Sequence, residues 1–148
     1  MTTDLLLFRV GQELFAAELR GVEEAVDLTT VEAVRQPPGS APRGRGIFTL
    51  RGALVPLFSP AIALGVAPGA ATTALVVRDA RGRIAIAADD VEDVLTLRDG
   101  ELRPVPAGDD RDAGVLRGVV RRGTSLIAVV DLEALIAACR GTSQPEVA

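Results

Sequence analysis

The sequence predicts an all-β protein: two small five-stranded barrels around an intervening hydrophobic core, with short helices and a helix near the C-terminus. Three observations carry this expectation. Short apolar runs recur between Gly-containing turns, the pattern of strands and hairpins. The order of those runs repeats once along the chain. At 148 residues there is room for one domain or two very small units, and units so small bury little apolar surface unless they pack on each other.

Taken in order, Leu5–Val10 and Leu14–Ala17 flank Gly11-Gln12-Glu13, a hairpin signal. Val22–Leu28 and Val31–Val34 read as extended, and the Pro- and Gly-rich stretch Gln36–Gly46 as a loop. Two apolar runs then meet at Arg51-Gly52, where Gly supplies the backbone freedom of a tight turn. Ser59-Pro60 reads as the cap and first position of a short helix that stops near Gly65. Ala67–Thr73 is a link of small residues. Ala74–Arg78 and Arg83–Ala87 form the next hairpin, Val91–Leu97 the next extended run, and Pro104–Asp112 a second loop. A strand beginning at Leu116-Arg117-Gly118 turns at Arg122-Gly123-Thr124 into Leu126–Val130. Asp131 caps a last helix, Leu132–Arg140, and a polar tail follows.

The repeat has a measurable separation. Val22-Glu23-Glu24-Ala25-Val26 matches Val91-Glu92-Asp93-Val94-Leu95, 69 residues on, and the same step carries Arg9 to Arg78 and Phe15 to Ile84. Leu50-Arg51-Gly52 matches Leu116-Arg117-Gly118 at 66, and Ser59 matches Asp131 as helix cap. The expected division is barrel 1 at 5–66, barrel 2 at 74–138 and a tail at 139–148, all within one domain spanning 1–148.

Composition narrows the function. There is no His, Trp, Tyr, Lys or Asn, and one cysteine, Cys139. Nucleophile–His catalysis lacks its base, so no catalytic residue of that kind is expected; without His or a Cys cluster a metal would have to rest on carboxylates alone, and none is expected. The net charge of −4 argues against a nucleic-acid binder. No apolar run reaches the ~20 residues of a membrane span, and Leu5–Phe8 is too short for a signal-peptide core, so a cytoplasmic location is expected. The acids Asp89, Asp90, Glu92 and Asp93 lack the spacing of a calcium loop and read as a solvated strand edge, as do Asp109, Asp110 and Asp112 in their loop. Cys139 reads as a small buried hydrophobe.

The stretch Gly46-Ile47-Phe48-Thr49-Leu50-Arg51-Gly52-Ala53-Leu54-Val55-Pro56-Leu57 resembles the signature segment of the CheW family of bacterial chemotaxis coupling proteins. The likeness extends through Leu7–Gly11, Val22-Glu23-Glu24, Ile84–Val94 and Leu126–Leu135, so it covers roughly residues 5 to 138. It implies two five-stranded SH3-like barrels and an adaptor without enzymatic activity or cofactor. The implied partners are the regulatory domain of a CheA-type histidine kinase, the cytoplasmic tip of methyl-accepting chemoreceptors and, as a further class, other CheW-like domains. The location implied is the cytoplasm, at membrane-associated receptor arrays, without insertion into the membrane. The chain departs from the family pattern at Gly44, at Thr49 and at Ser59-Pro60-Ala61. A CheW-like paralogue that modulates a specialised array, or binds one partner only, is the alternative. A regulatory domain cut from a CheA kinase and an enzyme on a barrel scaffold are further alternatives; the first lacks kinase motifs and the second lacks convergent polar groups.

The resemblance places Arg51 near a receptor-binding groove between the barrels, coupled to Glu24, with Val22 and Gly52 beside it. Read from the residues alone, Arg51 is an Arg at a turn that is either paired internally or offered to a partner. A Glu24–Arg51 salt bridge is expected. Through the repeat, Asp93 and Arg117 are expected as a second, pseudo-symmetric pair, with two unrelated surface charges as the competing reading.

Overall fold

The computed structural model describes residues 2–31, 44–106 and 114–141. Its strands are β1 (Thr2–Val10), β2 (Glu13–Glu18), β3 (Glu24–Asp27), β4 (Gly44–Leu50), β5 (Ala53–Phe58), β6 (Thr73–Asp79), β7 (Gly82–Ala88), β8 (Asp90–Arg98), β9 (Leu116–Arg122) and β10 (Ser125–Val130). Helix α1 spans Ala61–Leu64 and helix α2 spans Leu132–Gly141. Single 3-10 turns at Leu19–Gly21 and Leu28–Thr30 flank β3, so the extended run expected over Val22–Leu28 shrinks to four residues.

The strands form two five-stranded sheets, ordered β8-β1-β2-β10-β9 and β3-β6-β7-β5-β4. We call them barrel A and barrel B. The division at 5–66 and 74–138 is therefore corrected: the two repeats exchange their first hairpins. β1 runs antiparallel to β8 from Thr2–Arg98 to Arg9–Asp90, and β2 lies parallel to β10. The hairpin β6–β7 likewise joins β3 and β5. Barrel B is continuous in sequence, and barrel A is assembled from the two stretches on either side of it. The repeat itself survives, because β1 to β5 correspond in sheet position to β6 to β10.

The exchange follows from apolar patterning on both faces of the hairpins. In β1, Leu5 and Leu7 fill barrel A, while Leu6, Phe8 and Val10 point the other way into a core shared by the barrels. In β6 and β7, Ala74, Val76, Ala85 and Ala87 fill barrel B, while Leu75, Val77, Ile84 and Ile86 reach the shared core. A strand with one wet face would alternate apolar and polar residues; these strands are buried on both sides and read as continuous apolar runs. The shared core closes with Leu64 from α1 and Leu135 and Ile136 from α2. Phe8 and Phe15 meet inside it with ring centroids 6.1 Å apart.

Local punctuation is as the sequence predicts at several points. Gly65 ends α1 in the left-handed region at φ 72°. Asp131 Oδ1 accepts the Ala134 N–H at 3.1 Å and caps α2. Ser59 Oγ accepts from Ala61 N–H at 3.3 Å, although Pro60 takes the cap position rather than the first helical one. Gly44–Gly46, expected in a loop, already belongs to β4. The 32–34 run, residues 36–43 of that loop, Asp109, Asp110, Asp112 and the tail from 142 lie outside the described residues. Cys139 is fully buried. Among the described residues no helix is long and apolar enough to cross a membrane.

Candidate functional site

The β4–β5 hairpin turns through Arg51 at φ 48° and Gly52 at φ 84°. Two consecutive positive φ values define a turn whose twist matches the flanking strands. Arg51 is the one non-Gly residue at positive φ among those described. Its side chain nevertheless reaches β3: Nη1 donates to Glu24 Oε2 at 3.2 Å and Nη2 donates to Oε1. The expected Glu24–Arg51 salt bridge forms, and it is two-pronged. Because β3 and β4 are the two edges of barrel B, the pair also ties the seam of that barrel. Arg51 remains 62% exposed, so it is paired internally and still open to a partner.

Of the other predicted residues, Gly52 lies in the turn itself, and a side chain there would point into open space. Val22 is half-buried against the shared core, two residues from Glu24. The site thus runs from the end of barrel B toward the inter-barrel core. A separate cleft of about 500 Å³ between the barrels is lined by Ala25, Val26 and Asp27 with Thr72, Thr73 and the Asp90-Val91 start of β8. It runs along β3 from Ala25, next to Glu24, but neither Glu24 nor Arg51 lines it.

The pseudo-symmetric pair is corrected in one member. Arg117 Nη1 donates instead to Glu18 Oε2 at 2.5 Å, while Asp93 accepts from Arg122 Nη2 at 3.3 Å. Asp93–Arg122 plays the part of Glu24–Arg51 in its own barrel, tying edge strand β8 to edge strand β9, although Arg122 stands one residue before the turn, where barrel B has Leu50. The error lies in matching the two Leu-Arg-Gly triplets. Gly52 serves a turn; Gly118 sits within β9, where a Cβ would lie 2.3 Å from the Arg103 carbonyl oxygen. Arg103 and Val119 exchange backbone hydrogen bonds at 2.9 and 2.8 Å, and Gly118 permits that approach. The turn that answers Arg51-Gly52 is Gly123-Thr124, which sets the step for this hairpin at 72, as for Ser59 and Asp131.

Further charges surround Glu24, and the sequence reading left them unpaired. Glu23 accepts from Arg78 Nε at 2.8 Å and from Arg83 Nε at 3.1 Å. In barrel A, Glu92 accepts from Arg9 Nε at 2.8 Å. Arg9–Glu92 and Arg78–Glu23 are the same pair at the 69-residue step, each joining one repeat to the other. The mapping of Arg9 onto Arg78 and of Glu23 onto Glu92 held the signal; what was missing was the hairpin exchange that brings them together.

These bonds favour the ionised carboxylates. The Arg51 bond holds Glu24 below its usual range, with Arg83 adding to the pull. Arg78 first, then Arg83, does the same for Glu23, and Arg117 for Glu18. The Thr29 hydroxyl and N–H lower Asp27. At Asp79 burial pushes upward, but hydrogen bonds from Arg140 and the Arg81 N–H outweigh it and leave the carboxyl lowered. Groups lowered in the folded state stabilise it fully above their unfolded values, 4.5 for Glu and 3.8 for Asp, and cease to do so as pH falls through the folded ones. With no His to titrate, the melting temperature is expected to stay level from about pH 8 to about pH 5.5 and to drop below about pH 4. Thermal melts followed by circular dichroism across that range check this; a melting temperature that rises on acidification contradicts it.

A family model described as a CheW-like domain matches residues 4–140. A Rhizobium etli protein named "Probable chemotaxis protein CheW" is 30% identical over 136 residues, covering 89% of this chain and 86% of its own length. A "Chemotaxis protein CheW" of Rhizobium meliloti is 26% identical over 136 residues, with the same coverage. The crystal structure of the scaffolding protein TtCheW from Thermoanaerobacter tengcongensis superposes with a TM-score of 0.80 at 19% identity, covering 91% of this chain and 88% of that one. That likeness concerns the fold: two SH3-like barrels, as found in this chain.

Proposed function

This chain belongs to the CheW-like domain family, and on that premise we propose that it is an adaptor coupling chemoreceptors to a CheA-type histidine kinase in a signalling array. The observation that carries the reading is the Glu24–Arg51 pair on an exposed hairpin tip. A guanidinium fixed by a carboxylate loses little freedom when it meets a partner, and its value lies in geometry and specificity at an interface. The receptor's helical cytoplasmic tip is assigned to the surface running from Arg51 and Gly52 past Glu24 to Val22, in a helix-in-groove mode.

The kinase's regulatory domain is assigned to the apolar barrel ends. Leu54 and Leu126 support this: each is the second residue of the strand after its hairpin, 72 residues apart, and they are 72% and 56% exposed. Large apolar side chains at equivalent exposed positions fit contact surfaces. The protein then acts by assembly, from the cytoplasm, and performs no chemistry of its own.

Arg51→Ala is expected to lower affinity for a receptor cytoplasmic fragment at least about tenfold while leaving binding to the kinase regulatory domain within about twofold. Calorimetric titrations of the two partners separately measure both. Unchanged receptor binding would remove the role given to Arg51.

A further inference from the structure

The two barrels end differently although their pairs correspond. At one end of barrel B, Arg51, Arg78 and Arg83 surround Glu23 and Glu24, one guanidinium more than there are carboxylates. At the matching end of barrel A, Leu14 stands where barrel B has Arg83, directly across the hairpin from Arg9 as Arg83 is from Arg78. Arg9 there lies in the field of Glu92, Asp90 and Asp89. Among the described residues one end carries a local cationic excess, on a chain whose net charge is −4, and the other does not.

Two like charges directly opposite on neighbouring strands destabilise a sheet, and Glu23 offsets only one of them. Arg78 and Arg83 each reach Glu23 through Nε, and among the described residues their terminal nitrogens make no hydrogen bond. Arg78 is 54% exposed. Two guanidinium groups held through Nε, with terminal N–H donors unused, match the planar geometry by which carboxylates are taken two-pronged.

We propose that this end of barrel B docks an acidic segment of a protein partner, whose carboxylates are taken by the terminal nitrogens of Arg78 and Arg83. The proposal rests on the reading that the Arg51 end faces a partner, and it names that partner's chemistry.

The test uses the full chain, observed through its arginine Nε–Hε NMR signals. The probe is a helical peptide carrying Glu at i and i+4 and no basic residue; its Gln counterpart is the control. The Glu peptide is expected to shift the signals of Arg78 and Arg83 and the Gln peptide to leave them still. Arg78→Gln with Arg83→Gln should weaken the interaction about tenfold, and Arg83→Leu, which installs the barrel A residue, at least about threefold. Signals that do not move, that move equally with both peptides, or that shift alike at arginines across the surface overturn the proposal. Loss of receptor binding in Arg51→Ala together with still Arg78 and Arg83 signals would discard this proposal and leave the adaptor reading standing. Shifted signals with receptor binding unchanged in Arg51→Ala would leave this proposal standing and remove the role given to Arg51.

Discussion

Phe15→Ala is expected to destabilise the whole protein by about 3–5 kcal/mol, the range for removing a buried aromatic ring from a packed core. Phe15 is fully buried in the shared core and packs on Phe8. It belongs to β2 of barrel A, yet its ring faces the residues that β6 and β7 of barrel B send across. Both barrels should therefore unfold in one transition, shifted to lower denaturant. The chain has no Trp or Tyr, so far-UV circular dichroism in urea gives the global transition and amide signals from each barrel test its unity. Separate transitions for the two barrels, or a loss below about 1 kcal/mol, would mean that the shared core does not hold them together.

Cleaving the chain within the small-residue link, between residues 69 and 70, is expected to leave two fragments that do not fold alone and that restore the fold when mixed. The first would hold β1–β2 without β8 and β10, and β3 cut off from β5 because β6 and β7 lie between them. The second would lack the hairpin that joins β8 to β10. A contiguous barrel in each half would instead give two independently folded fragments. Cooperative melting of either fragment by itself is the outcome that sinks the exchanged arrangement.

What the sequence made legible was local. Gly11, Gly65, Asp131 and Arg51-Gly52 announce their turns and caps because each answers a backbone requirement within a few residues. The shared core was legible from size, because two units so small bury too little apolar surface unless they pack on each other. The partnership of the hairpins was not. Two copies of one pattern offer a hairpin equivalent edges in either copy, and apolar patterning does not say which it joins. The same ambiguity hid the Arg9–Glu92 and Arg78–Glu23 pairs, whose members come from different repeats. At the candidate site the Glu24–Arg51 pair was legible through the family resemblance; the residues alone left Arg51 open between internal pairing and a partner. Arg117 was misplaced because a Gly that permits a close backbone approach looks, in sequence, like a Gly that makes a turn.

The discontinuity of barrel A also sets an order of events during synthesis. The hairpin β1–β2 leaves the ribosome before the other strands, apolar on both faces, and its neighbours β8 and β10 follow only after all of barrel B has been made. At typical elongation rates the wait between Glu18 and Val130 is on the order of ten seconds. Within this domain the first hairpin made thus waits longest for its sheet neighbours, and in a crowded cell it is the hairpin of the domain most in need of a chaperone's protection.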